Sequence, residues 1–114
     1  MDQCIFCRIV ERRTPARIVF EDDEIVAFED TNPQAPIHIL IVPRKHLASL
    51  KDATPEDAAL LGRLSLVAAQ LARERGLDTK GYRTVVNTGS GAGQTVLHLH
   101  LHLLAGRAFH WPPG

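Results

Sequence analysis

Three histidines alternate with leucines late in the chain, in Val96-Leu97-His98-Leu99-His100-Leu101-His102-Leu103-Leu104. On a strand, such alternation sets the leucines on one face and the histidines on the other, with same-face neighbours roughly 6.5–7 Å apart. A row of imidazoles is poor packing material, because each ring has two nitrogens that need partners when buried. A solvated polar face accounts for one histidine or two more readily than for three in register. Metal ligation is a second reading, although at this spacing a single ion needs ligands from other elements as well. Acid–base or nucleophilic chemistry is a third, since imidazole titrates near neutral pH and can form covalent intermediates.

Directly before the row lies Gly89-Ser90-Gly91-Ala92-Gly93-Gln94-Thr95. Glycines allow backbone N–H groups to converge on an anion. The loop is not a Walker P-loop, for it has no Gly-Lys-Ser/Thr and no helix follows. Beside three histidines it suggests a phosphate held against an imidazole. A second group of chemistry-bearing residues is Cys4 and Cys7, which stand at metal-ligand spacing. One pair supplies only two ligands, so metal ligands, a redox pair and buried small hydrophobes all remain open.

Periodicity locates the elements that must position these groups. Residues 4–10 suit one helical turn or two. Residues 17–20 and 24–28 read as a hairpin around the turn Glu21-Asp22-Asp23. Residues 30–36 form a loop, since Pro33 and Pro36 bias their predecessors away from the helix. Residues 37–42 are β-branched and mostly apolar, which suits a central strand covered on both faces and stopped by Pro43. Thr54 is an N-cap, Pro55 a first helical residue, and Glu56 and Asp57 acids of a first turn. Leu60, Leu61, Leu64, Val67, Ala68 and Leu71 then recur at helical spacing until Gly76. The spacing predicts a helix of about 21 residues, or roughly 32 Å. Residues 82–87 and 96–104 are further strands, separated by the loop 88–95 and followed by the tail 105–114. Strands on both sides of one long helix, with short connections, favour an antiparallel α+β sheet over a βαβ repeat.

The 114 residues suit one domain, 1–114, and 45% hydrophobic with 23% charged residues is an ordinary globular balance. Thirteen basic and 13 acidic residues leave zero net charge. That excludes bulk polyanion binding, so no nucleic acid partner is expected, while a ligand with one or two phosphates remains compatible. No apolar run has the length of a membrane span, and the N-terminal residues lack the pattern of a leader. The expected setting is the cytoplasm, with no membrane partner and both cysteines reduced.

The run Gly93-Gln94-Thr95-Val96-Leu97-His98-Leu99-His100-Leu101-His102-Leu103-Leu104 resembles the histidine triad signature, His-φ-His-φ-His-φ-φ with φ apolar. The likeness covers nearly the whole chain, through Cys4-Ile5-Phe6-Cys7, Glu21-Asp22-Asp23, Phe28-Glu29-Asp30, Pro36-Ile37-His38 and Pro43-Arg44-Lys45-His46 in that order. The terminal His110-Trp111-Pro112-Pro113-Gly114 resembles the HINT branch of that family, the histidine triad nucleotide-binding proteins.

The resemblance implies a HIT-like α+β fold: a five-stranded antiparallel sheet with one long helix and a short N-terminal helix. It implies a homodimer with a continuous ten-stranded sheet and a tail that reaches toward the partner's site. It implies purine nucleoside phosphoramidase activity through a nucleotidyl-histidine, with no organic cofactor. Carried onto this sequence, His100 is the nucleophile, His102 contacts the phosphate, and His98 and His38 orient His100. Thr95 stands near the leaving group, where many members have Ser. Asn87, Gly93 and Gln94 join the phosphate donors, Asp30 binds the ribose, and Ile5, Phe6, Ile9, Phe28 and Thr31 form the base pocket. Cys4, Cys7, His46 and His98 would hold a structural zinc. Two other functions share these residues: an AMP-binding regulatory module, and dinucleoside polyphosphate hydrolysis.

Overall fold

Alternation of large apolar residues with site-facing residues builds a sheet whose central strands are buried on both sides while its outer strands stay partly exposed. The computed structural model describes residues 3–114. Its strands are β1 (Ile18–Glu21), β2 (Ile25–Glu29), β3 (Ile37–Pro43), β4 (Arg83–Val85) and β5 (Leu101–Ala105). All neighbours are antiparallel, in the order β1-β2-β3-β5-β4. The helices are α1 (Ile5–Val10) and α2 (Ala58–Glu74). The expected α+β class and five-stranded antiparallel sheet are therefore present.

One face of the sheet belongs to α2. Ile25 and Ala27 of β2, Ile39 and Ile41 of β3, and Leu101 and Leu103 of β5 pack with Leu64, Val67, Ala68 and Leu71 in one apolar cluster. These helical residues repeat at the spacing of a single stripe. The opposite face takes α1. There Phe6, Ile9 and Val10 pack on Val26, Phe28, Leu40 and Val42. β3 is the hinge of this division, because its period of two sends Ile39 and Ile41 to α2 and His38, Leu40 and Val42 to the other side. The β1–β2 turn is closed by Asp22, whose Oδ1 accepts N–H bonds from Glu24 (2.9 Å) and Ile25 (2.8 Å). Arg44 then ties this turn to α1, donating to the carbonyls of Asp22 (2.8 Å) and Val10 (3.0 Å).

Three elements are shorter than the sequence predicts. α2 has 17 residues, because Pro55–Asp57 forms a 3₁₀ turn ahead of it. β4 stops at Val85, leaving Asn87 in the following loop. The last strand starts at Leu101 and not at 96. The Leu99 N–H donates to the Leu47 carbonyl (2.7 Å), a loop partner off the sheet, so the ladder with β3 begins two residues later. Strict alternation fails there as well: Leu97 is 63% exposed while Leu99, Leu101 and Leu103 are buried.

Candidate functional site

A cavity of about 600 Å³ opens between α1, the end of β2, the 30–36 loop and the approach to β5. Of the predicted residues, Ile5, Phe6, Ile9, Phe28, Asp30, Thr31, His38, Gly93, Thr95, His100 and His102 line it. Phe6 stands edge-on to both Phe28 (5.3 Å between centroids) and His100 (5.1 Å), joining the apolar end of the cavity to the histidine end. Ala16 and Leu40 complete the apolar wall, and Thr14, Asn32 and Gln34 add polar groups at the rim. Leu40 was legible in principle, since it shares a strand face with His38. Gln34 carried no signal, because its contribution is a backbone N–H.

Hydrogen bonds to groups of fixed polarity assign the ring protons. The Gln34 N–H donates to His38 Nδ1 (3.0 Å), so a neutral His38 carries its proton on Nε2. That proton faces His102 Nδ1, 2.9 Å away, so a neutral His102 carries its own proton on Nε2. Among the described residues, His102 Nε2 is a buried polar atom with no protein partner. Burial, and then the neighbouring His100 and His38, push the His102 pKa down to about 4. Burial likewise lowers His38, against the pull of Asp30, whose Oδ2 lies 3.5 Å from His38 Nε2. Both shifts favour the neutral ring at pH 7. His100 Nδ1 donates to the His98 carbonyl (2.7 Å), which leaves Nε2 as the lone-pair nitrogen of the neutral ring.

The register explains the pairing of His38 with His102. Leu40 stands opposite His102 in the β3–β5 ladder, so His38 is its diagonal neighbour on the same face. His98 departs from the expected row. Its ring is fully buried and turned to the cysteines, so its carbonyl, not its imidazole, orients His100. Its second nitrogen faces the Pro43 carbonyl (2.8 Å) and not the cavity.

Gln94 and Asn87 do not line the cavity. The Gln94 amide donates to the carbonyls of Ala48 (2.7 Å) and Val96 (3.0 Å) and accepts from the Gly89 N–H (2.9 Å). It thus braces the loop instead of reaching for an anion. The N–H groups of Ala92, Gly93 and Gln94 are also engaged within that loop, on the carbonyls of Gly89 and Ser90. The turn requires glycine at 93, where φ is +90°.

Cys4, Cys7, His46 and His98 form a second cluster, their ligand atoms all within 4.8 Å of one another. Cys4 Sγ lies 3.4 Å and Cys7 Sγ 3.6 Å from His98 Nδ1, and Cys7 Sγ lies 3.3 Å from His46 Nδ1. Tetrahedral zinc with ordinary bond lengths separates sulfur and nitrogen ligands by about 3.5 Å. The donor set and spacing fit that ion. Burial, and then the adjacent Cys4, raise the Cys7 thiol to about 11, so metal uptake there must displace a proton. The His98–Pro43 bond would supply the outer contact that orients the imidazole of His98 toward such an ion.

A family model described as "Scavenger mRNA decapping enzyme C-term binding" matches residues 3–110. An uncharacterised HIT-like protein of Synechocystis sp. is 53% identical over 113 residues, spanning 99% of this chain and 98% of that one. The chain belongs to the histidine triad (HIT) superfamily. Among solved HIT structures, a HIT family hydrolase from Legionella pneumophila matches at TM-score 0.96 and 50% identity, covering 98% of this chain and 100% of that one. A histidine triad nucleotide-binding protein from Candida albicans matches at TM-score 0.83 and 32% identity, covering 96% of this chain and 83% of that one. A zinc-bound histidine triad family protein from Mycobacterium smegmatis matches at TM-score 0.80 and 36% identity, covering 93% of this chain and 76% of that one. Among the described residues, no helix is long and apolar enough to cross a membrane.

Proposed function

We propose that this HIT protein is a purine nucleoside phosphoramidase of the HINT branch, which hydrolyses the phosphorus–nitrogen bond of adenosine or guanosine 5′-monophosphoramidates. The observation that carries this reading is the pairing of opposite offers on one cavity wall. His100 presents a ring nitrogen with a lone pair, and His102 has a buried Nε2–H without a protein acceptor. A nucleophile beside an unpartnered donor suits a tetrahedral phosphorus whose non-bridging oxygens need donors. The hydrolase and the nucleotide-binding protein among the matched structures support the same class.

In the first step His100 Nε2 forms a bond to phosphorus as the phosphorus–nitrogen bond to the amine breaks. The departing nitrogen takes a proton from solvent at the open mouth of the cavity and leaves as the neutral amine, and the exposed Thr95 there is our candidate for positioning it. The His100 ring becomes cationic, and the His98 carbonyl on its Nδ1–H favours that charge. His102 Nε2–H donates to a non-bridging oxygen. Water then attacks phosphorus as its bond to His100 Nε2 breaks, which releases the nucleoside monophosphate, returns one proton to solvent and restores neutral His100. Asp30 would bind the ribose diol, and Phe6, Ile9, Phe28, Ala16 and Leu40 would enclose the base beside Ile5 and Thr31. Zinc on Cys4, Cys7, His46 and His98 would serve as a structural clamp on α1. The zinc-bound relative supports it. The two free thiols suit a cytoplasmic setting.

A homodimer belongs to the same reading. β4 is an edge strand, and Leu66 on α2 is 68% exposed, which suits a second copy extending the sheet to ten strands.

The deciding experiment supplies adenosine 5′-phosphoramidate and follows AMP and ammonia. We expect turnover by the wild type and a loss of at least about a thousandfold in His100→Ala, the scale of a lost covalent nucleophile. Equal background rates from both proteins would end the enzyme reading.

A further inference from the structure

The strand that carries His102 also grips, at its far end, the loop that sets the tautomer of His38. Just past β5, Gly106 lies so close to Pro36 that an added Cβ would be 2.8 Å from the proline Cβ. The next residue, Arg107, donates from Nε to the Gln34 carbonyl (2.9 Å). Its guanidinium stacks over Phe109 at 4.3 Å from the ring centroid, which holds it in that direction. On the inner side of the same loop, the Gln34 N–H donates to His38 Nδ1 (3.0 Å). Gln34 is thus held from both sides, by Arg107 on its carbonyl and by His38 on its amide. Pro33 has no N–H to offer in its place.

We propose that Arg107 is a positioning residue for the reaction at His100. By pinning Gln34, it keeps an N–H on His38 Nδ1, directs the His38 proton to Nε2, and so leaves His102 with its proton on Nε2, free for a phosphate oxygen. Arg107 does not line the cavity, so it acts through Gln34 and not on the substrate. The kinetic part rests on the phosphoramidase reading; the tautomer part does not.

The test uses the full chain with ¹⁵N-labelled histidine. Long-range proton–nitrogen NMR reads the His38 and His102 tautomers, and phosphoramidate turnover is followed in parallel. The wild type should show a single Nε2–H form for both rings. Arg107→Ala should give averaged His38 signals and a kcat roughly tenfold to a hundredfold lower at similar KM, the scale of a small misplacement. Arg107→Lys, which keeps a donor, should recover part of both. If Arg107→Ala fails to fold, Arg107→Met, which keeps an unbranched side chain but has no N–H donor, takes its place with the same expected readouts. A variant that folds and retains one His38 tautomer overturns the proposal, as does a scrambled tautomer with unchanged kcat. A wild type that shows no turnover refutes the phosphoramidase reading instead, and the NMR arm then decides the role of Arg107 alone.

Discussion

His100 and His102 are two residues apart and chemically identical, yet their partners make one an acceptor toward the cavity and the other a donor. A main-chain carbonyl fixes the first; a relay from Gln34 through His38 fixes the second. The low pKa of His102 has a consequence for stability. Its folded value of about 4 lies below the ordinary 6.5, so between those values the unfolded chain takes up a proton that the native ring refuses. Stability from this group is therefore complete above about pH 6.5 and declines as pH falls toward 4. His38 and His98, also lowered chiefly by burial, act in the same direction. Urea midpoints at about pH 7 and about pH 4.5 should differ less in His102→Gln than in the wild type, and an equal difference would refute the assignment.

Elements earn their place here by what they hold against the sheet. α1 is only 6 residues long, too short to persist without tertiary support. Its anchors are the apolar contacts of Phe6, Ile9 and Val10 and the contacts of Cys4 and Cys7 with His98 and His46 at its start. Cys7→Ser should lower zinc content by about one ion per chain and reduce the melting temperature, with elemental analysis and calorimetry as the readouts. Unchanged metal content would remove Cys7 from the ligand set. At the other end of the site, the turn after β5 meets Pro36 at Gly106, where φ is +94°. Gly106→Ala adds both a clash and a strained conformation, and should destabilise by roughly 1–3 kcal/mol in denaturant unfolding.

For the whole molecule, the sheet separates two tasks. The α2 face is a dry packing surface of Ile, Leu, Val and Ala, while the opposite face combines α1 with His38 and His102. Mutations behind the sheet should therefore act on stability alone, whereas those in front should also reach the cavity and the Cys4–Cys7–His46–His98 cluster. The solvent side of α2 carries Leu66, which neither task uses. If a second copy covers it, Leu66→Glu should shift the protein from dimer to monomer in sedimentation velocity, while single-chain unfolding stability changes by less than about 1 kcal/mol. A wild type that sediments as a monomer would refute the dimer.

Several features were determined by the sequence itself. The His-φ-His-φ-His-φ-φ run, the x2 cysteine pair and the apolar period of α2 are local patterns, and local patterns specify residue type, element type and face. The five strands and the long helix were legible for that reason. The start of β5 was not, because Leu99 bonds to Leu47, 52 positions away, and no local signal marks such a partner. The same limit applies to the histidines. Spacing put His98 in a row with His100 and His102, whereas folding turned its ring to Cys4 and Cys7 and left its carbonyl to orient His100. Gln94 looked like a phosphate donor beside the triad, and packing against Ala48 made it a brace. Which nitrogen of each ring carries a proton is set by hydrogen-bond partners distant in sequence. Only the tertiary structure could decide it.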